Sequence, residues 1–175
     1  MKRAVLVLAF VLATSAPAKA DIQSDLAAGV DMETVLLNAV SSGKSIVDAL
    51  AEVLKATEGR DAEIISSAIR LFPDMAVEIV IAALNAGVDV ELVVSTAVLT
   101  APDKVAEIVA AAVNLLPEQR DVIVKAAIGS GGDQDVVVRA ALAAIWRANS
   151  LGGLFPVVDG GQGKGGMPIY NGSPS

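Results

Sequence analysis

Apolar positions along this chain do not alternate. They fall in pairs, and the pairs stand four residues apart. In "AEIVAAAV" from Ala106, the paired positions are Ile108-Val109 and Ala112-Val113, with Glu107 as the one charge. Residues three and four apart share a face of an α-helix, whereas a half-buried strand alternates with period two. The pattern therefore predicts helix, although Val and Ile are abundant. Seven other segments follow the same plan: "ETVLLNAV" from Glu33, "VDALAEVL" from Val47, "AEIISSAI" from Ala62, "VEIVIAAL" from Val77, "LVVSTAVL" from Leu92, "DVIVKAAI" from Asp121 and "DVVVRAAL" from Asp135. Their starts are 14, 15, 15, 15, 14, 15 and 14 residues apart. The eighth position is a branched aliphatic in every unit: Val40, Leu54, Ile69, Leu84, Leu99, Val113, Ile128 and Leu142. The seventh is Ala or Val throughout.

Helix-breaking residues separate the units. Pro73, Pro102 and Pro117 are each followed by an acid (Asp74, Asp103, Glu118). Proline is tolerated in a first helical turn, and an acid there suits the positive end of the helix dipole. Gly43, Gly59, Gly87 and the "GSGG" at 129–132 fall just past units, where helices stop. Each unit is then one helix of about 10–12 residues, about 15–18 Å long and too short to span a bilayer. Apolar residues cover much of each helix, so each needs neighbours on several sides. The expected fold class is all-α. About eight short helices, paired as antiparallel hairpins, form an α-solenoid or a compact superhelical bundle. "DIQSDLAAGVD" from Asp21 supplies a short polar helix or cap at one end. At the other end the last helix lengthens through "AAIWRAN", and Trp146 is expected to close the open end of the core.

The flanks differ from the array. "MKRAVLVLAFVLATSAPAKA" has Lys2 and Arg3, a short apolar run and an Ala18-Lys19-Ala20 ending. This is the layout of a secretory signal peptide, with cleavage expected after Ala20. Residues 21–149 form the helical-repeat domain. Residues 150–175, "SLGGLFPVVDGGQGKGGMPIYNGSPS", hold eight of the 15 glycines and three of the seven prolines, so they read as a flexible or extended tail. Two apolar clusters interrupt it, "LFPVV" and "MPIY". Either "LFPVV" folds back over the last helix, or the tail docks on another molecule in extended form, as in strand addition. Candidate partner-binding residues are Trp146, Leu154, Phe155, Met167, Ile169 and Tyr170.

Charge narrows the partners. All 20 acids lie beyond residue 20 but only 10 of the 13 basic residues do, so the processed chain carries 10 − 20 = −10. Such a chain is repelled by phosphate backbones, which argues against nucleic acid. With no cysteine, an exported chain has no disulfide framework and must rely on its core. With no histidine, it lacks the commonest general base and the commonest transition-metal ligand.

The remaining candidates for chemistry are poor. "GGQGKGG" has Lys164 in a glycine-rich setting, but Val158 stands where a P-loop needs its first glycine and Gly165 where it needs Ser or Thr. "GGDQD" has Asp133 and Asp135, but the twelfth position from Asp133 is Ala144, not the glutamate of a calcium loop. Asp133 reads better as the start of a helix. Glu63, Glu78 and Glu107 share the second unit position, which suggests a solvated acidic ridge more than a carboxylate pair for hydrolysis. Ser41, Ser42 and Lys44 in "SSGKS" read as a turn, with Ser45 starting the next helix. No cofactor and no catalytic residue is expected. "NGS" at 171–173 matches a glycosylation sequon.

The pattern "PDKVAEIVAAAVNLLPEQRDVIVKAAI" and the terminal Ser173-Pro174-Ser175 carry a resemblance. The chain resembles small Ala/Val-rich exported helical-repeat proteins of Gram-negative bacteria over roughly residues 31–149 and the last three residues. The resemblance implies export and a repeat fold, and carries no activity. The expected function is a non-enzymatic binding or adaptor module of the cell envelope, periplasmic or extracellular, whose partner is a protein or envelope polymer. The alternative is a self-assembling surface or matrix subunit that uses the array ends and the tail. No membrane span is expected once the signal is removed.

Overall fold

The computed structural model describes residues 22–151. Among them are nine α-helices and no strand: α1 (Ile22–Ala27), α2 (Met32–Ser41), α3 (Ile46–Ala56), α4 (Asp61–Leu71), α5 (Ala76–Asn85), α6 (Val90–Thr100), α7 (Val105–Leu115), α8 (Arg120–Gly129) and α9 (Gln134–Leu151). The eight predicted units are α2 to α9, and "DIQSDLAAGVD" supplies α1. None of the described helices is long and apolar enough to cross a membrane.

Two kinds of turn keep the units in step. In the first, a helix ends at a glycine with positive φ, two residues before the next N-cap. After α8, Gly131 has φ +94° and Gly132 donates its N–H to Ala127 O at 2.9 Å, which satisfies a terminal carbonyl. Asp133 then caps α9 by accepting from the Val136 N–H at 3.0 Å. The same arrangement follows α1, α2 and α5, with Asp31, Ser45 and Asp89 as caps. In the second kind, a residue forced out of the helical region by the following proline breaks the chain. Phe72, Ala101 and Leu116 adopt nearly the same angles (φ −133°, −130°, −130°), and each accepts a bond that closes a 3₁₀ turn at 73–75, 102–104 or 117–119. The turn between α3 and α4 is neither kind. Thr57 Oγ1 bonds back to Val53 O, Gly59 has positive φ, and Arg60 leads into α4 without a side-chain cap.

Each helix packs on its neighbours in sequence and on its second neighbours. The helices therefore sort by parity into two layers: α2, α4, α6 and α8 in one, α1, α3, α5, α7 and α9 in the other. The structural repeat is two units long, so equivalent residues of one layer recur 29 or 30 apart, as at Leu50, Val80, Val109 and Val138. Unit positions three, four, seven and eight point between the layers and along the array. Ile64, Ile65, Ala68 and Ile69 in α4, and Ile108, Val109, Ala112 and Val113 in α7, are all at most 1% exposed. Burying a valine or isoleucine side chain this fully contributes about 1.5–3 kcal/mol, and an alanine methyl less. Among the described residues, no buried side-chain nitrogen or oxygen lacks a hydrogen-bond partner.

Three expectations need correction. The fifth unit begins at Glu91, one residue earlier than its sequence pattern suggests. Val98 is 1% exposed and occupies the eighth position, while Leu99 is 69% exposed. Asp89 sets this register, because its cap fixes where α6 starts. The eighth position is also not buried everywhere: Leu142 on the last helix is 53% exposed. Trp146 does not close the core. It is 71% exposed on α9, the last helix of its layer among the described residues.

Candidate binding groove and the two ends of the array

On the outer face of the odd-numbered layer, unit positions one, two, five and six point away from the core. In α7 these are Ala106, Glu107, Ala110 and Ala111. Alanine at three of the four leaves α7 as a low floor between α5 and α9. The result is an open groove of about 560 Å³. Val77 and Glu78 of α5, with Asp74 of the preceding turn, form one wall. Ala140, Ala143, Ala144 and Arg147 of α9 form the other, and Asn114 lies toward the end of the floor. Asp74 and Glu78 are four residues apart. Glu107 pairs with Lys104 at 3.5 Å. The groove thus has an apolar, small-residue floor, a carboxylate-rich side and a single arginine opposite.

The even-numbered layer presents a different outer surface. Arg70 of α4 bridges to Glu33 of α2 at 3.2 Å, and Arg60 makes a two-pronged bond to Glu63. That hydrogen bond is the main cause holding the Glu63 carboxyl below its usual pKa and the Arg60 guanidinium above its own. Leu37, Leu99 and Val122 are exposed there, one on each of α2, α6 and α8.

The predicted acidic ridge is accordingly split. Glu78 and Glu107 meet at the groove, but Glu63 sits in the other layer and is occupied by Arg60. Asp133 is an N-cap and Asp135 lies in the first turn of α9. Ser45 caps α3, Ser42 Oγ donates to Ala39 O, and Lys44 pairs with Glu52, so "SSGKS" is a turn. Among the described residues, no group of three or more His, Cys, Asp or Glu side chains is placed to hold a metal ion. Of the candidate partner-binding residues, the structure places Trp146 on α9. Leu154, Phe155, Met167, Ile169 and Tyr170 lie outside the described residues. The groove alanines escaped sequence reasoning, because alanine in a repeat reads as packing. The available signal was their outward unit position.

The ends of the array are unlike. At the start, short α1 lies over α2 and α3 with Gln23, Ser24 and Ala27 outward, and Asn38 of α2 donates to Asp25 at 2.9 Å. At the other end, Val138, Leu142 and Trp146 make an exposed stripe four residues apart along α9.

Comparison with protein-family models, curated proteins and solved structures finds no match.

Proposed function

We propose that this chain is an exported, non-enzymatic adaptor that binds a polypeptide segment along the α5–α7–α9 groove. The observation that carries this reading is the groove itself. Its floor of Ala106, Ala110 and Ala111 lets a second backbone approach closely, where larger side chains would hold it off. Solenoids commonly use such extended surfaces for binding. Asp74, Glu78 and Glu107 favour a segment that carries lysine or arginine beside its apolar residues. The basic, apolar and small-x-small opening at residues 1–20 supports export to the periplasm or beyond. The resemblance to Ala/Val-rich exported repeat proteins points the same way.

Self-assembly ranks second. Head-to-tail stacking needs complementary ends, and a polar start does not complement an apolar finish.

The test is capture from an envelope fraction on the immobilised chain, beside the double variant Ala106→Arg, Ala143→Arg. Both alanines are outward-facing, so the helical circular dichroism should be unchanged. Loss of a polypeptide partner from the variant supports the groove. Equal capture by both forms, or turnover of a common substrate by the purified monomer, overturns the reading.

A further inference from the structure

The groove over α7 is polarised along its length. Consecutive helices are joined by turns of a few residues and pack on one another, so they run antiparallel and the helices of one layer run parallel. Glu78 and Glu107 hold equivalent positions in the first turns of α5 and α7, and Asp74 lies in the 3₁₀ turn just before α5. Arg147 stands at the opposite end. It follows Val136, the α9 equivalent of Glu107, by 11 residues of helix, or about 16 Å. Alanine lines most of the space between. The end charges are available to a ligand. Among the described residues no hydrogen bond or ion pair engages the side chains of Asp74, Glu78 or Arg147, whereas Arg60 and Arg70 of the opposite layer are each paired with a glutamate.

We infer, resting on the polypeptide-binding reading above, that the occupant of the groove is an α-helix of about three turns. It lies antiparallel to α5, α7 and α9, with carboxylates in its first turn and lysine or arginine in its last. The floor decides the helix. Backbone groups of α7 are bonded within α7, so an extended segment laid on it would leave its own N–H and C=O groups against alanine methyls without partners. A helix satisfies its backbone internally and needs only side-chain packing from the groove. Alanine lets it come to the near end of the usual interaxial range of about 8–10 Å.

Charge decides the direction. Acids in the first turn and bases in the last are what a helix favours at its own ends. Laid antiparallel, such a helix sets its acids at Arg147 and its bases at Asp74 and Glu78. Laid parallel, it sets like charges together at both ends.

Three labelled peptides of about three turns, built mainly of alanine and leucine, test this by fluorescence anisotropy. One has glutamates in its first turn and lysines in its last. The second has these charges exchanged, and both are stapled on one flank to equalise helicity. The third repeats the first without a staple and with a central proline, which breaks the helix. Each is titrated with the full chain, with Ala106→Arg, Ala143→Arg and with Glu78→Arg, Arg147→Glu. All four positions are exposed, so circular dichroism should be unchanged. The first peptide should bind the full chain about tenfold tighter than the second, and the margin should shrink as salt is raised. The Glu78→Arg, Arg147→Glu variant should lose that preference, and the Ala106→Arg, Ala143→Arg variant should lose binding. Equal binding of the first two peptides, or tighter binding of the second, overturns the inferred direction. Equal binding of the proline peptide overturns it in favour of an extended occupant. Binding of the first peptide that survives Ala106→Arg, Ala143→Arg, or no binding of any peptide, also overturns it. The polypeptide-binding reading itself falls only by the capture experiment above, so the two failures are distinct.

Discussion

Val98 and Leu99 are adjacent aliphatics on α6, and they provide a sharp test of how the helices sit in the array. Val98 is 1% exposed and Leu99 is 69% exposed. Truncating Val98 to alanine removes two carbons, worth about 1.6 kcal/mol at about 0.8 kcal/mol each. The cavity left behind raises the cost to about 2 kcal/mol. Truncating Leu99 removes three carbons, but most of its surface is already in water. The loss is about 0.5 kcal/mol, and the higher helix propensity of alanine offsets a few tenths of it. Chemistry alone ranks the leucine change as the larger. Burial reverses the order. Urea unfolding followed by circular dichroism measures both. With a slope of about 1–3 kcal/mol per molar for a chain of this size, Val98→Ala should lower the midpoint by about 1 M and Leu99→Ala hardly at all. A midpoint for Leu99→Ala as low as that of Val98→Ala would refute the register of α6 and place Leu99 in the core.

Further expectations concern the turns and caps. A Cβ on Gly132 would stand 2.8 Å from Ala127 O, the atom that accepts Gly132's own N–H. Gly132→Ala should therefore cost about 1–3 kcal/mol, while Gly129→Ala, with nothing within 4 Å and helical backbone, should gain up to about 1 kcal/mol; thermal denaturation of the pair compares them. The Thr34 hydroxyl and backbone N–H bond the Asp31 carboxylate and hold its pKa below the ordinary value of 3.8. The cap on α2 is then fully present above that value and is lost as pH falls through the lowered folded pKa. In Thr34→Val, the Asp31 carboxylate resonance should titrate at higher pH than in the parent chain; identical midpoints would contradict the assignment.

Much of the architecture was legible because the chain repeats itself. "GVDMETVLLNAV" from Gly29 and "GVDVELVVSTAV" from Gly87 align residue for residue, 58 apart, and this is two structural repeats. The fifth unit is where the unit pattern and this longer alignment disagree by one residue. α6 has large aliphatics on most sides, so periodicity alone cannot choose between Val98 and Leu99, and only the Asp89 cap decides. The parity of the layers was harder to see. Equal unit positions look equivalent in a 14–15-residue repeat, yet consecutive units face opposite sides. Glu63 therefore looks equivalent to Glu78 and Glu107 in the sequence, although only the latter two share a surface. Trp146 reads as a core plug from its place on the lengthened last helix, at the end of the array. Among the described residues α9 is the last helix of its layer, and composition does not reveal how such a position is exposed.

Site-specific photo-crosslinking in the living cell tests binding at the groove most directly. A photoreactive residue at Ala106 or Ala143 faces the groove, and one at Val122 faces outward from the opposite layer. A polypeptide seated in the groove gives a discrete adduct from the two groove positions and none from Val122. Adducts of equal yield from all three positions, or an adduct from Val122 alone, would contradict it.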